Sequence, residues 1–174
     1  MGVAISRRQH GEGSHGGDRI GPNPTDQAKN GTKRSVVVDG AGAPLSVIVA
    51  GANAHDTKLL QPTLEAIVVK PPRSVGPHGR HLCLDKGYDN PTGRAAAQTC
   101  GSTTHIRRIG EEKLDAAGDK TFPARRCMVE RTHAWFSKCR ALLVRRDKKS
   151  ADYLGLLHFA CCLLWYRRVA FASF

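Results

Sequence analysis

PARRCMVERTHAWFSKCRALLVRR, residues Pro123 to Arg146, is the stretch on which the fold turns. At about 100° per residue, Met128, Val129, Thr132, Trp135, Phe136, Cys139, Leu142 and Leu143 fall on one broad apolar arc. That spacing predicts a single amphipathic helix over 123–146, laid on a core. Glu130 falls on the opposite face, with Arg126 one turn before it and His133 and Ser137 one and two turns after. Taken alone, a carboxylate among basic and polar groups on a helix face is an ordinary solvated cluster.

Outward from this helix, the chain of 174 residues is one domain's worth, long enough to bury a sizeable core. Lys and Arg number 27 against 15 Asp and Glu, a formal charge of +12, which points to an anionic polymer as partner, nucleic acid first. The basic residues are spread over turns and helices and form no single amphipathic anchor, which argues against a membrane surface. Cys83, Cys100, Cys127, Cys139, Cys161 and Cys162 make no CxxC pair and read as reduced thiols. The first residues lack a signal-peptide apolar region and no run of 18 apolar residues exists, so the expected location is cytoplasmic, with no membrane partner.

Residues 1–20, rich in Gly, Arg, His and Ser, predict a disordered tail. Two β-rich runs within 33–50 flank Asp39-Gly40-Ala41-Gly42 and predict a hairpin. Asn53 is placed to cap a helix with Asp56 in its first turn, stopping before Pro71. Residues 70–79 read as a loop and 81–84 as a short buried strand ending at Asp85. A short helix over 92–99, a strand over 102–107 and an irregular stretch over 110–122 follow. A helix over 150–168 is apolar nearly all round, with His158 expected in the core. His55-Asp56 lacks the partners of a metal-binding pair and reads as a helix start, and Glu111-Glu112 reads as solvated. Between 125 and 149, nine basic residues face two acids, a density that makes phosphate binding salt-dependent.

Four segments, in order, resemble the catalytic domain of bacterial insertion-sequence transposases of the DDE class. They are GPNPTDQAKNGTKRSVVVDGAGAPL (Gly21 to Leu45), GANAHDTKLLQPTLEAI (Gly51 to Ile67), LCLDKGYDN (Leu82 to Asn90) and VERTHAW followed by LLVRRDKKSADYLGLLHFACCLLWYRR, which ends at Arg168. The resemblance implies an α/β, RNase H-like mixed sheet flanked by helices over 21–169, with the first catalytic strand missing or degraded. It implies binding of element ends and target DNA and metal-dependent strand cleavage and transfer, with Mg2+ as cofactor and Mn2+ as a substitute. A homodimer within a transposition complex is also compatible with it.

Residue by residue, the resemblance assigns Asp85 and Glu130 as catalytic and metal-binding carboxylates, the second Asp and the Glu of the family's three acids. In such sites paired divalent ions activate the attacking oxygen and stabilise the leaving one. Lys33, Arg34, Lys86, Arg126, Arg131 and Lys138 are the expected DNA contacts. Arg126 agrees with a family signature around the Glu, but Pro123 stands where that signature has Tyr and Ser137 where it has Lys. The first catalytic Asp is expected upstream of GPNPTD, yet no aspartate precedes Asp18, and neither Asp18 nor Asp39 is its equivalent. That departure implies an N-terminally truncated copy and supports an alternative, an inactive remnant that binds DNA without sequence choice. A basic RNA-binding module would show an aromatic stacking platform, which this chain lacks.

Overall fold

The computed structural model describes residues 2–5, 10–13, 17–24, 27, 29–69, 80–106 and 126–171. Its spine is β4 (Asn30–Val38), the longest strand among those described, which pairs along both edges. Strand β5 (Pro44–Gly51) and strand β1 (Gly2–Ile5) both oppose Val37 and Val38, so they occupy opposite edges of β4. Strand β2 (His10–Gly13) and β5 both oppose Thr32 and Lys33, which puts β2 on the same edge as β1. The short β3 (Gly21–Pro22) pairs with Gly31 and Asn30. Beyond β1 lie β6 (Arg80–Leu84) and β7 (Ser102–Ile106), both parallel to it, and β8 (Val144–Arg145) closes the far side against β2.

The hairpin expected over 33–50 is therefore β4 and β5. Its turn is held by the Asp39 carboxylate, which accepts from Ala41 N at 2.9 Å and Ala43 N at 2.7 Å. Gly42 has φ +84°, and a Cβ there would also lie 3.1 Å from Met128 O, so the turn needs glycine on both counts.

Side chains of β4 alternate between two helical layers. Lys33, Ser35 and Val37 meet α1 (Asp56–Glu65), whose Leu60 and Leu64 join Leu82, Leu84 and the alanines of α2 (Pro91–Thr99) in one core. Val36 and Val38 face α3 (Arg126–Lys138) and α5 (Ser150–Phe171), where Val129, Phe136, Tyr153 and Leu157 form the other. Burial on both sides explains why KRSVVV is covered throughout although half of it is polar.

Four expectations change. Gly2–Ile5 and His10–Gly13, expected within a disordered tail, are strands, and β1 fills the central gap that would leave β4 and β6 short of a pairing partner. The single helix over 123–146 is broken. Cys139 turns extended after α3, a short α4 (Arg140–Leu143) follows, and Val144 leaves it as β8, which pairs with β2 and takes Arg145 into the interior. His55, not Asn53, caps α1, because the Asn53 amide is packed beside Gly21 and Gly51. His158 is exposed on α5 instead of lying in the core. The described cysteines are free thiols, and burial pushes the Cys161 thiol up to about 12, with Cys162 adding to the shift. No described helix is long and apolar enough to cross a membrane. Residues 70–79 and 110–122 lie outside the described residues.

Candidate active site

Strand β6 delivers Asp85. Leu82 and Leu84 pack toward α1 and α2, Cys83 packs toward α3 and α5, and Asp85 follows directly on the strand's carboxyl end. Its backbone is extended (φ −71°, ψ 156°) and its Oδ1 accepts from Lys86 N at 2.7 Å, capping a 3-10 turn over Lys86–Tyr88. Tyr88 is buried at the end of that turn. Asn90 then caps α2 by accepting from Gly93 N at 2.8 Å, and Arg94 bonds Asp89 at 2.6 Å. Two caps and an ion pair in succession fix the chain where it leaves the strand, a rigid mount for the candidate carboxylate.

Helix α3 carries Glu130 on its exposed side, next to the fully buried Val129. The helix is pinned at this point by Thr132, whose hydroxyl donates to Gly42 O at 2.7 Å, with Met128 O at 3.2 Å as the longer alternative. Helix α3 packs over β1 and β4, and β1 pairs with β6, so the strand that ends at Asp85 and the helix that bears Glu130 are both neighbours of β1. The register opposes Ile5 to Leu84, one residue before Asp85. The next residue in the sequence, Ser6, has no carboxylate and lies outside the described residues.

Asp85 and Glu130 suit a hard divalent cation, since Mg2+ takes oxygen ligands and keeps several waters. Two carboxylates do not make the set that holds a pair of ions in fixed relation. Among the described residues, no cluster of three or more His, Cys, Asp or Glu side chains could hold a metal.

The six expected DNA contacts divide. Lys86, Arg131 and Lys138 are exposed, the first beside Asp85 and the second beside Glu130. Arg126 opens α3, and its side chain lies outside the described residues. Lys33 and Arg34 are interior, which corrects their assignment to a DNA surface. Lys33 is 6% exposed, and its ammonium pairs with Asp56 at 3.0 Å and bonds Ala54 O, tying β4 to the start of α1. Arg34 is 2% exposed and points to the other layer.

Around Arg34 lies a polar interior that the sequence reading missed. Arg145 is buried, donates to Thr32 Oγ1 at 3.0 Å, to Asp147 O at 2.9 Å and to Lys148 O at 3.1 Å, and stands 5.4 Å over the Tyr153 ring. The Tyr153 hydroxyl donates to Leu142 O at 3.0 Å. By contrast, Arg34 Nε and Nη1 and both ring nitrogens of His133 are buried with no hydrogen-bond partner among the described residues. Burial lowers the Arg34 pKa, which Tyr153 partly offsets. Burial, and then the nearby Arg34 charge, hold His133 down to about 4, so it is neutral at pH 7. His133 was expected on the solvent face with Glu130. The inward stripe of α3 is instead Val129, Thr132, His133 and Phe136, the i, i+3, i+4, i+7 set. One signal was available for Arg34: it is in phase with Val36 and Val38 on a two-residue period.

A family described as "Transposase DDE domain" matches residues 5–165. A protein of Burkholderia cepacia named "Putative transposase for insertion sequence element IS402" is 35% identical over 153 residues, covering 86% of this chain and 69% of that relative. With its acidic strand end, its glutamate-bearing helix and a match over most of its length, the chain belongs to the DDE transposases of insertion sequences.

Proposed function

We propose that this chain is an RNase H-like transposase core that binds insertion-element DNA at its ends and at a target and serves metal-dependent strand cleavage and transfer. The observation that carries the reading is the strand arrangement β5-β4-β1-β6-β7. Its first two neighbouring pairs are antiparallel and its last two parallel, with Asp85 at the end of β6 and Glu130 on the helix over β1 and β4. In α/β sheets, ligands gather at the carboxyl ends of the strands. Asp85 and Glu130 are the carboxylates that would hold Mg2+ or Mn2+, which polarises a phosphodiester and its attacking oxygen. Lys86, Arg126, Arg131 and Lys138 would bind phosphates around them, and the cytoplasm is the compartment where element DNA is met. The core takes in β1 as well as 21–169.

A second reading is favoured by the carboxylate count: a remnant that binds DNA without cutting it. Among the described residues no third acid joins Asp85 and Glu130 to fix two ions in a common frame, and misplacement of about 1 Å already costs on the order of a hundredfold in rate. Nicking of supercoiled DNA with magnesium or manganese separates the two readings. Nicking that disappears in an Asp85→Ala, Glu130→Ala double variant supports the first. Absence of nicking, with gel-shift affinity that falls steeply as salt rises, supports the second. Salt-insensitive or strongly sequence-selective binding sinks the remnant reading.

A further inference from the structure

Strands β6 and β7 are sealed on one face only. Leu82 and Leu84, with Ile106 opposite Leu84, pack into the core shared with α1 and α2. The residues that alternate with them point to the other face. There His81 and Cys83 follow one another along β6, with Thr103 and His105 directly opposite them on β7. His81, Cys83 and His105 are only half-buried and Thr103 is exposed, so solvent reaches this side of the strand pair.

Two imidazoles meet on that open face. His81 Nδ1 and His105 Nε2 are 2.6 Å apart, one donating to the other, with ring centroids 4.8 Å apart and planes tilted by 41°. Such a bond needs a lone pair on the accepting ring, and that lone pair is also what a metal ion takes. A further proton on the pair is disfavoured, because burial, and then the facing His81 ring, lower the His105 pKa. The pair therefore keeps a coordinating nitrogen at neutral pH.

The spacing selects the ion. With metal–nitrogen bonds of about 2.1 Å, a right-angled pair of ligands needs its nitrogens about 3.0 Å apart and a tetrahedral pair about 3.4 Å. Starting from 2.6 Å, the right-angled pair requires an opening of about 0.4 Å, within reach of small rotations of half-exposed rings, and the tetrahedral pair about twice that. Imidazole suits nickel, copper and zinc, and right-angled nitrogens are the tetragonal preference of Ni2+ and Cu2+. Mg2+ seeks oxygen ligands and finds none in this pair of rings.

We propose that His81 and His105 form a two-imidazole site for a divalent transition-metal ion, Ni2+ or Cu2+ ahead of Zn2+, with His81 Nδ1 and His105 Nε2 in adjacent positions and water in the others. On binding, the proton between the rings passes through solvent to the far nitrogen of its own ring, so both rings bind as neutral ligands. The ion clips β7 to β6, its only strand partner among the described residues. His81 stands near the start of β6 and Asp85 follows its end, so the site is separate from the carboxylates and independent of whether they cut DNA.

Calorimetric titration of the whole chain with Ni2+, at neutral pH in reducing buffer free of chelators, tests this with His81→Gln and His105→Gln beside the parent. The parent should bind one Ni2+ that each variant binds about tenfold or more weakly, since losing even an outer partner of a metal ligand costs that much. The other histidines and the cysteines give all three chains the same background. Ni2+ should also raise the denaturation midpoint of the parent more than that of either variant, and Mg2+ should not. In the parent itself, Ni2+ should protect His81 and His105 from diethyl pyrocarbonate, read by peptide mass spectrometry, a measurement that needs no variant to fold. Equal titrations in parent and variants, weakening in only one variant, or two rings that stay reactive under saturating Ni2+ overturns the proposal.

Discussion

The two helical layers on either side of the sheet are built from alternate residues of the same strand, yet they treat polar groups differently. On the α1 and α2 side every polar residue that β4 sends inward has a partner. Lys33 pairs with Asp56 and Ser35 meets Thr63 Oγ1 at 2.8 Å, while from β5 Ser46 donates to Thr63 O at 2.6 Å. On the α3 and α5 side Arg145 and Tyr153 are bonded, but Arg34 and His133 have buried nitrogens without partners among the described residues. A buried polar group costs little when paired and much when not. One layer is therefore a settled core, and the other, which carries Glu130, holds a charge at the expense of stability.

The comparison can be broken most directly at Phe136, fully buried on the strained side. Phe136→Ala should cost about 4 kcal/mol in chemical denaturation, in the range for truncating a core aromatic. A loss below about 1 kcal/mol would mean that this layer is loosely packed and that its polar residues are not enclosed.

Acid provides the next test. The His133 pKa, about 4 in the fold, lies below the ordinary histidine value of 6.5, so the unfolded chain takes up the proton first. Its contribution is full above pH 6.5 and is lost as the pH falls toward 4, about 3 kcal/mol in all. The difference in stability between parent and His133→Leu should shift in favour of the variant across that window. Parallel pH profiles would show that His133 is solvated.

A smaller effect of opposite sign is expected at Arg34. Replacing an unpaired buried guanidinium by an apolar chain of similar length, Arg34→Met, should stabilise the fold by about 2 kcal/mol. Destabilisation, read from the same denaturation midpoints, would show that the guanidinium is held by an interaction outside the described residues. The settled side supplies the smallest change. Ser35→Ala removes one buried hydrogen bond and should cost about 1 kcal/mol, with Thr63 still bonded to Leu59 O. A cost above about 3 kcal/mol would mean that the α1 side also depends on a polar network.

Much of this architecture was legible in the residues. The runs SVVV and PLSVIVA around Asp39-Gly40-Ala41-Gly42 predicted the hairpin because turn chemistry and a two-residue period are local properties. Asp56 in the first turn of α1 and the end of that helix before Pro71 were legible for the same reason. Asp85 at a strand end and Glu130 on a helix could be named because each sits in an ordered segment with its own wording. The break at Cys139 was not legible, since RALL continues the helical period and only the pairing of β8 with β2 makes the extended turn favourable.

By itself the sequence determined the elements with strong local signals, the basic charge, the family and the absence of an aspartate before Asp18. Tertiary structure alone decided which faces are interior. It buried Lys33 and Arg34, which composition assigns to solvent, because β4 is covered on both sides and every residue along it must point into one layer or the other, and it turned His133 of α3 and Arg145 of β8 toward the same interior as Arg34. It also turned Gly2–Ile5, expected within a disordered tail, into the strand between β4 and β6, because so short an apolar run is ordered only where two unpaired strand edges offer it backbone partners.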